Sequence, residues 1–182
     1  MDQLYNFNPQ NLLDWVTAFC IFEIPLALFY FSISKKGDTV RNWYSGKNIN
    51  IWNVVIQDLL YVICGIILTL NLFNYLVSIN LIQKNFIIFI ICFVIVQLIG
   101  DSTFALIIKS WPKNYSNYWI DYFKRYINRA KFNALIGDAI YVIVWAITFY
   151  LVNQYINRFD IKIFIISLFI FLVSAYSIQK SE

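Results

Sequence analysis

Four acidic residues stand where acids are costly: Glu23, Asp58, Asp101 and Asp138 each interrupt a long apolar run. In a bilayer such a residue costs roughly 2.5 to 3.5 kcal/mol at a helix centre and less towards the ends. Carboxylates kept in that setting do one of three things. They hydrogen-bond between helices, pass a proton or cation, or form a site for a lipid headgroup or metal. Asp58 lies seven positions after Ile51, Asp101 eight before Lys109, and Asp138 eight after Ala130. At 1.5 Å per residue all three sit about 10 Å inside one boundary, with Glu23 somewhat deeper. The spacing predicts one polar cluster inside a helical bundle. Tyr61 and Tyr141 follow Asp58 and Asp138 by three positions, on the same helical face, and can hydrogen-bond to the acids.

These acids belong to an internal echo. Asn53, Ile56, Asp58, Tyr61, Val62, Ile63 and Ile67 correspond at a fixed offset of eighty to Asn133, Ile136, Asp138, Tyr141, Val142, Ile143 and Ile147. Both copies run in the same direction, as in a parallel repeat.

The elements that must position the acids are long apolar helices. About five runs approach the roughly 20 residues needed to cross a hydrocarbon core. They are expected at about 12–34, 51–76, 86–109, 130–152 and 161–178, the last being the shortest. Strands of that length would need a closed barrel of alternating segments, which the pattern lacks. The whole chain, 1–182, reads as a single integral membrane domain of the all-α, polytopic class.

Composition agrees. Of 182 residues 60% are hydrophobic and 13% charged, and the mean hydropathy is +0.64. A soluble domain this small could not hide so much apolar surface. The net charge of +4 is spread between apolar runs rather than along one face, so a bilayer and not a nucleic acid is the expected partner. Histidine is absent, which removes the usual general base, zinc ligand and catalytic triad. No Walker loop, dinucleotide glycine pattern or paired-cysteine motif occurs, and no cofactor or bound metal is expected. Cys20, Cys64 and Cys92 all lie in apolar runs and imply no disulfide framework.

Basic residues give an orientation. Lys35, Lys36, Arg41 and Lys47 fill the first connection, and Lys113, Lys124, Arg125 and Arg129 the third, flanked by Lys109 and Lys131. Lys84, Arg158 and Lys162 alone fall on the other side, which puts the N-terminus outside or lumenal and the C-terminus in the cytoplasm. In the third connection, about 114–129, Tyr115, Tyr118, Trp119, Tyr122, Phe123 and Tyr126 recur at helical spacing opposite Asp121, Lys124, Arg125 and Arg129. An amphipathic helix in the headgroup layer, touching lipid headgroups, is expected; packing on another protein or on the protein's own bundle is the alternative.

One stretch carries a family pattern. Asp101, Thr103, Lys109, Trp111 and Pro112 match the spacing of a motif in domain-of-unknown-function family 2177, a group of small predicted membrane proteins. Asp58 with Tyr61 and Asp138 with Tyr141 resemble that family's Asp-x-x-Trp pairs, with Tyr in place of Trp. Gly100, Phe104 and Ser110 depart from its pattern. The layout is also similar to uncharacterised membrane proteins of large DNA viruses, which would suit a viral or host internal membrane. The resemblance implies a membrane fold and no activity. Read from the residues alone, Lys109, Trp111 and Pro112 form a boundary anchor that ends a helix.

Together these features predict a structural or accessory membrane component with a buried acidic cluster and no enzymatic signature. A proton or cation transporter using Asp58, Asp101 and Asp138, and a membrane-embedded enzyme acting on lipid, are the alternatives. A homo-oligomer would bury the acids equally well.

Overall fold

A computed structural model describes residues 2–33, 49–130 and 132–181, and within them every long element is helical. A 3-10 turn, Asp2–Tyr5, precedes α1 (Pro9–Ile33), α2 (Ile51–Ser78) and α3 (Phe86–Ser110). A second 3-10 turn, Lys113–Tyr115, leads to α4 (Tyr118–Ala130), α5 (Phe132–Tyr155) and α6 (Phe159–Ser181). No strand occurs among the described residues. Lys35, Lys36, Arg41, Lys47 and Lys131, which weighed in the orientation, lie outside them.

Asparagine starts the helices. Asn8, Asn50, Asn85 and Asn117 each accept a backbone N–H from the first turn, at 2.8, 2.9, 2.7 and 3.0 Å. A side-chain oxygen in that place satisfies a donor the helix cannot. Asn117, after Pro112 and the 3-10 turn, starts α4 at Tyr118 rather than near residue 114. Asn80 closes α2 with a φ of 57°. Around it Leu81 N–H bonds to the Leu76 carbonyl and Asn80 N–H to that of Val77, the paired bonds of a left-handed helix stop. α6 begins two residues earlier than expected and runs 23 residues, about 34 Å, which is ample for a crossing.

Among the described residues four helices are long and apolar enough to span a membrane: α2, α3, α5 and Phe159–Ser177 of α6, with mean hydropathy 2.0 to 2.3. No more than 28% of each span is buried inside the protein. Rows such as Ile87, Ile91, Ile95 and Ile99 on α3, and Phe164, Leu168 and Phe171 on α6, therefore face outward. Lipid is the solvent that suits them, and the chain is a multi-pass helical membrane protein. α1, the fifth expected span, is a 25-residue helix that continues through Pro25.

α1 packs on α5 and α6, α5 on α3, α3 on α2, and α2 on α6. Where α1 and α5 meet, polar and aromatic residues alternate in layers. At one end Asp14 accepts Nδ2 of Asn153 at 2.9 Å. Next, Trp15 stacks on Phe149 with ring centres 3.8 Å apart, and Phe19 lies 5.2 Å from Trp145. Then Tyr141 donates its hydroxyl to Glu23 at 2.7 Å. Hydroxyls within the apolar helices are satisfied locally: Thr17, Thr69, Thr103 and Thr148 each donate to the carbonyl four residues back.

Candidate functional site

The polar layer near the α4 end opens into a cavity of about 1270 Å³ between α2, α3, α4 and α5. Asp58 from α2, Asp101 from α3 and Asp138 from α5 all line it, together with Tyr61 and Tyr141. Glu23 is the exception. It is 3% exposed, lies outside the cavity lining, and is joined to it through Tyr141. α1 sits behind α5 as seen from the cavity, so similar depth does not bring its acid to the same wall.

The repeat tyrosines reach across helices rather than back to the aspartate one turn away. Tyr61 on α2 donates to Oδ1 of Asp101 on α3 at 2.7 Å, and Tyr141 on α5 donates to Glu23 on α1 at the same distance. Gln97, one turn before Asp101, donates to the same Oδ1 at 2.9 Å. Oδ2 of Asp101 is buried and has no hydrogen-bond partner. Asp138 is part-buried and within electrostatic reach of Asp101. Among the described residues no three His, Cys, Asp or Glu side chains converge as metal ligands.

Gly100 makes the Tyr61–Asp101 bond feasible. A Cβ there would lie 3.0 Å from the Tyr61 hydroxyl, while one on Gly65 would meet Phe93 at an ordinary 3.4 Å. Both alanines gain helix propensity, about 1 kcal/mol in water, but only the first crowds a hydrogen bond. Gly100→Ala is therefore expected to be less stable than Gly65→Ala by about 1 kcal/mol, read from melting in detergent. Equal melting temperatures would mean that Tyr61 shifts at no cost.

α4 covers the cavity. Trp119, Tyr122, Phe123 and Tyr126 line it from above, so this aromatic face turns to the bundle, the alternative weighed for an interfacial helix. Tyr115 and Tyr118 stay exposed. Nε1 of Trp119 donates to Gln57 of α2 at 2.8 Å, and Phe104 meets Phe123 edge-on at 5.1 Å. The motif residues build the corner before it. Trp111 donates through Nε1 to the Tyr115 carbonyl at 3.1 Å, Lys124 bonds to the Trp111 carbonyl at 2.9 Å, and Pro112 ends α3. Thr103 is exposed and bonds within its own helix, which leaves it no part in the cavity. Lys109 is exposed at the cavity margin.

A second polar site escaped sequence reasoning. Lys162, which the orientation count places at the outer end of the last span, is 1% exposed and pairs with Asp14, also 1% exposed. Gln10 and Asn153 bond to the same carboxylate. A lysine one turn inside the start of an apolar helix, and an aspartate one turn inside another, were the available signal.

The chain matches no protein-family profile, no curated protein and no solved structure.

Proposed function

We propose that this multi-pass membrane protein is an accessory component that holds the polar end of a membrane-borne amphipathic molecule in the cavity under α4. One observation carries the reading: three carboxylates from three helices line a single cavity whose other walls are largely apolar and aromatic. A cluster kept only to tie helices together would give every buried carboxylate oxygen a partner, whereas Oδ2 of Asp101 is buried with none. A through-membrane proton route is less favoured, because Trp15, Phe19, Trp145 and Phe149 separate the cavity layer from the Asp14 layer. Pockets of this kind combine apolar surface with a few polar groups that fix orientation.

The same reading takes α1 as a fifth crossing, with the N-terminus outside and the α4 side in the cytoplasm. The basic residues Lys109, Lys113, Lys124, Arg125 and Arg129 near α4 support this orientation. Exposed Tyr115, Tyr118 and Arg125 would then meet lipid headgroups.

Native mass spectrometry of protein extracted in mild detergent tests the proposal. A bound lipid mass is expected at one per chain, lost in Ala105→Trp, which fills the cavity wall, and reduced in the Asp101→Asn, Asp138→Asn pair. Lipid retained equally by both variants, each checked for native melting, would place the lipid elsewhere and defeat the reading.

A further inference from the structure

The cavity is charged at two levels, and the two signs are separated. At its inner end lie the Asp101 carboxylate, with Oδ2 buried and unpartnered, and Asp138. Asp138 is part-buried and has no hydrogen-bond partner among the described residues. At the rim Lys109 from the end of α3 and Arg129 from the end of α4 line the same space, both exposed. Neither forms an ion pair or hydrogen bond with a described residue. Tyr122 and Tyr126 line the same space.

Lys109 follows Asp101 by eight residues, about 12 Å along the α3 axis. Helical side chains lean towards the N-terminus, so the lysine stem leans back towards Asp101 and shortens that gap. A ligand spanning the levels needs a cation at its inner tip and an anion behind it. A singly anionic headgroup would satisfy Lys109 and Arg129 but press against the aspartates. A simple alkylamine would do the reverse.

Resting on the proposed lipid-binding role, we infer that the cavity takes a zwitterionic phospholipid headgroup with a primary amine: the ammonium between Asp101 and Asp138, the phosphate against Lys109 and Arg129. A primary ammonium has three N–H donors, enough for the free Asp101 oxygen and for Asp138 together. A quaternary ammonium has none to give. Acids inside a cavity are tolerated when paired and hydrogen-bonded; the ammonium supplies that to Asp101 and Asp138, while the phosphate gives the exposed Lys109 and Arg129 an anion. Arg129 supplies a planar fork suited to phosphate, and Lys109 a mobile point charge.

Binding of short-chain lipids to delipidated full-length protein in detergent, followed by calorimetry, is the test. Dioctanoyl phosphatidylethanolamine is expected to bind about tenfold tighter than the phosphatidylcholine and phosphatidylglycerol of equal chain length. Asp101→Asn with Asp138→Asn should abolish its advantage over phosphatidylglycerol. Lys109→Gln with Arg129→Gln should abolish its advantage over octylamine. Equal affinity of the intact protein for all three phospholipids would overturn the headgroup assignment while leaving a lipid cavity in place. Failure of every lipid to bind would remove both. Glycerophosphoethanolamine without acyl chains binding as tightly as the lipid would keep the zwitterion and reject the membrane-borne ligand. The headgroup comparison uses the unaltered chain, so it stands even if a variant fails to fold.

Discussion

Lys162→Met is expected to destabilise the bundle by about 3 to 5 kcal/mol, while Asp14→Leu combined with Lys162→Met recovers most of that loss. Asp14 gathers α1, α5 and α6 around one carboxylate. Lys162 donates to Oδ1, Asn153 donates to Oδ2 at 2.9 Å, and Gln10 reaches Oδ1 at 3.4 Å. Removing only the lysine leaves a buried anion with two amides and no counter-charge. Removing both charges leaves an apolar contact of similar volume, and such replacements are often neutral or better. The neighbouring Arg158–Asp160 pair, 2.5 Å apart but mostly exposed, is the control: Arg158→Gln should leave melting unchanged, because water and salt screen it. Thermal unfolding in a single detergent measures all four proteins. If Lys162→Met melts like the parent, the pair is exposed to water in the membrane and the three-helix junction has been misjudged.

Why Lys162 escaped notice shows where one-dimensional reasoning stops. The apolar runs were readable because length alone separates a crossing from a buried soluble helix. Their edges were less so, since polar residues such as Pro9, Gln10 and Asn11 belong to the first turn of α1 behind the Asn8 cap. Lys162 reads as an end-of-helix charge when the span starts at Ile161; with α6 starting at Phe159 it lies one turn along and is buried. Residue count multiplied by helix rise predicts one level for Asp58, Asp101 and Asp138, and all three line one cavity. Azimuth has no such signal. Nothing in the spacing told that Tyr61 would cross to Asp101 and Tyr141 to Glu23, or that Glu23 would lie behind the cavity. Those choices depend on which helices become neighbours. The aromatic face of α4 was identified from its period, yet the surface it covers is a cavity made by three other helices and has no local signature.

Trp15→Ala should have an effect of comparable size, about 3 to 5 kcal/mol, for a different physical reason. The ring of Trp15 stacks flat on Phe149 at 3.8 Å, meets Phe93 edge-on at 6.0 Å and Trp145 at 6.2 Å, and is 1% exposed. Inside a bilayer, leaving one apolar setting for another gains nothing, so the loss comes from contacts and from the empty space left behind. The indole N–H of Trp145 bonds to the backbone carbonyl of Trp15 at 2.9 Å, and that bond survives truncation of the side chain. Trp145→Phe removes that bond together with part of a fully buried ring and should cost about 1 to 3 kcal/mol. Trp15→Phe should fall between the two. The position of the cluster adds a functional consequence. It fills the layer between Tyr141–Glu23 and Asn153–Asp14, and truncating Trp15 opens a gap in that layer beside Phe19, Trp145 and Phe149. Proteoliposomes of the parent protein should then hold a proton gradient, and those of Trp15→Ala should leak. A parent that leaks as fast as the variant would show that this aromatic layer is no barrier, and would return the acids to the transporter reading.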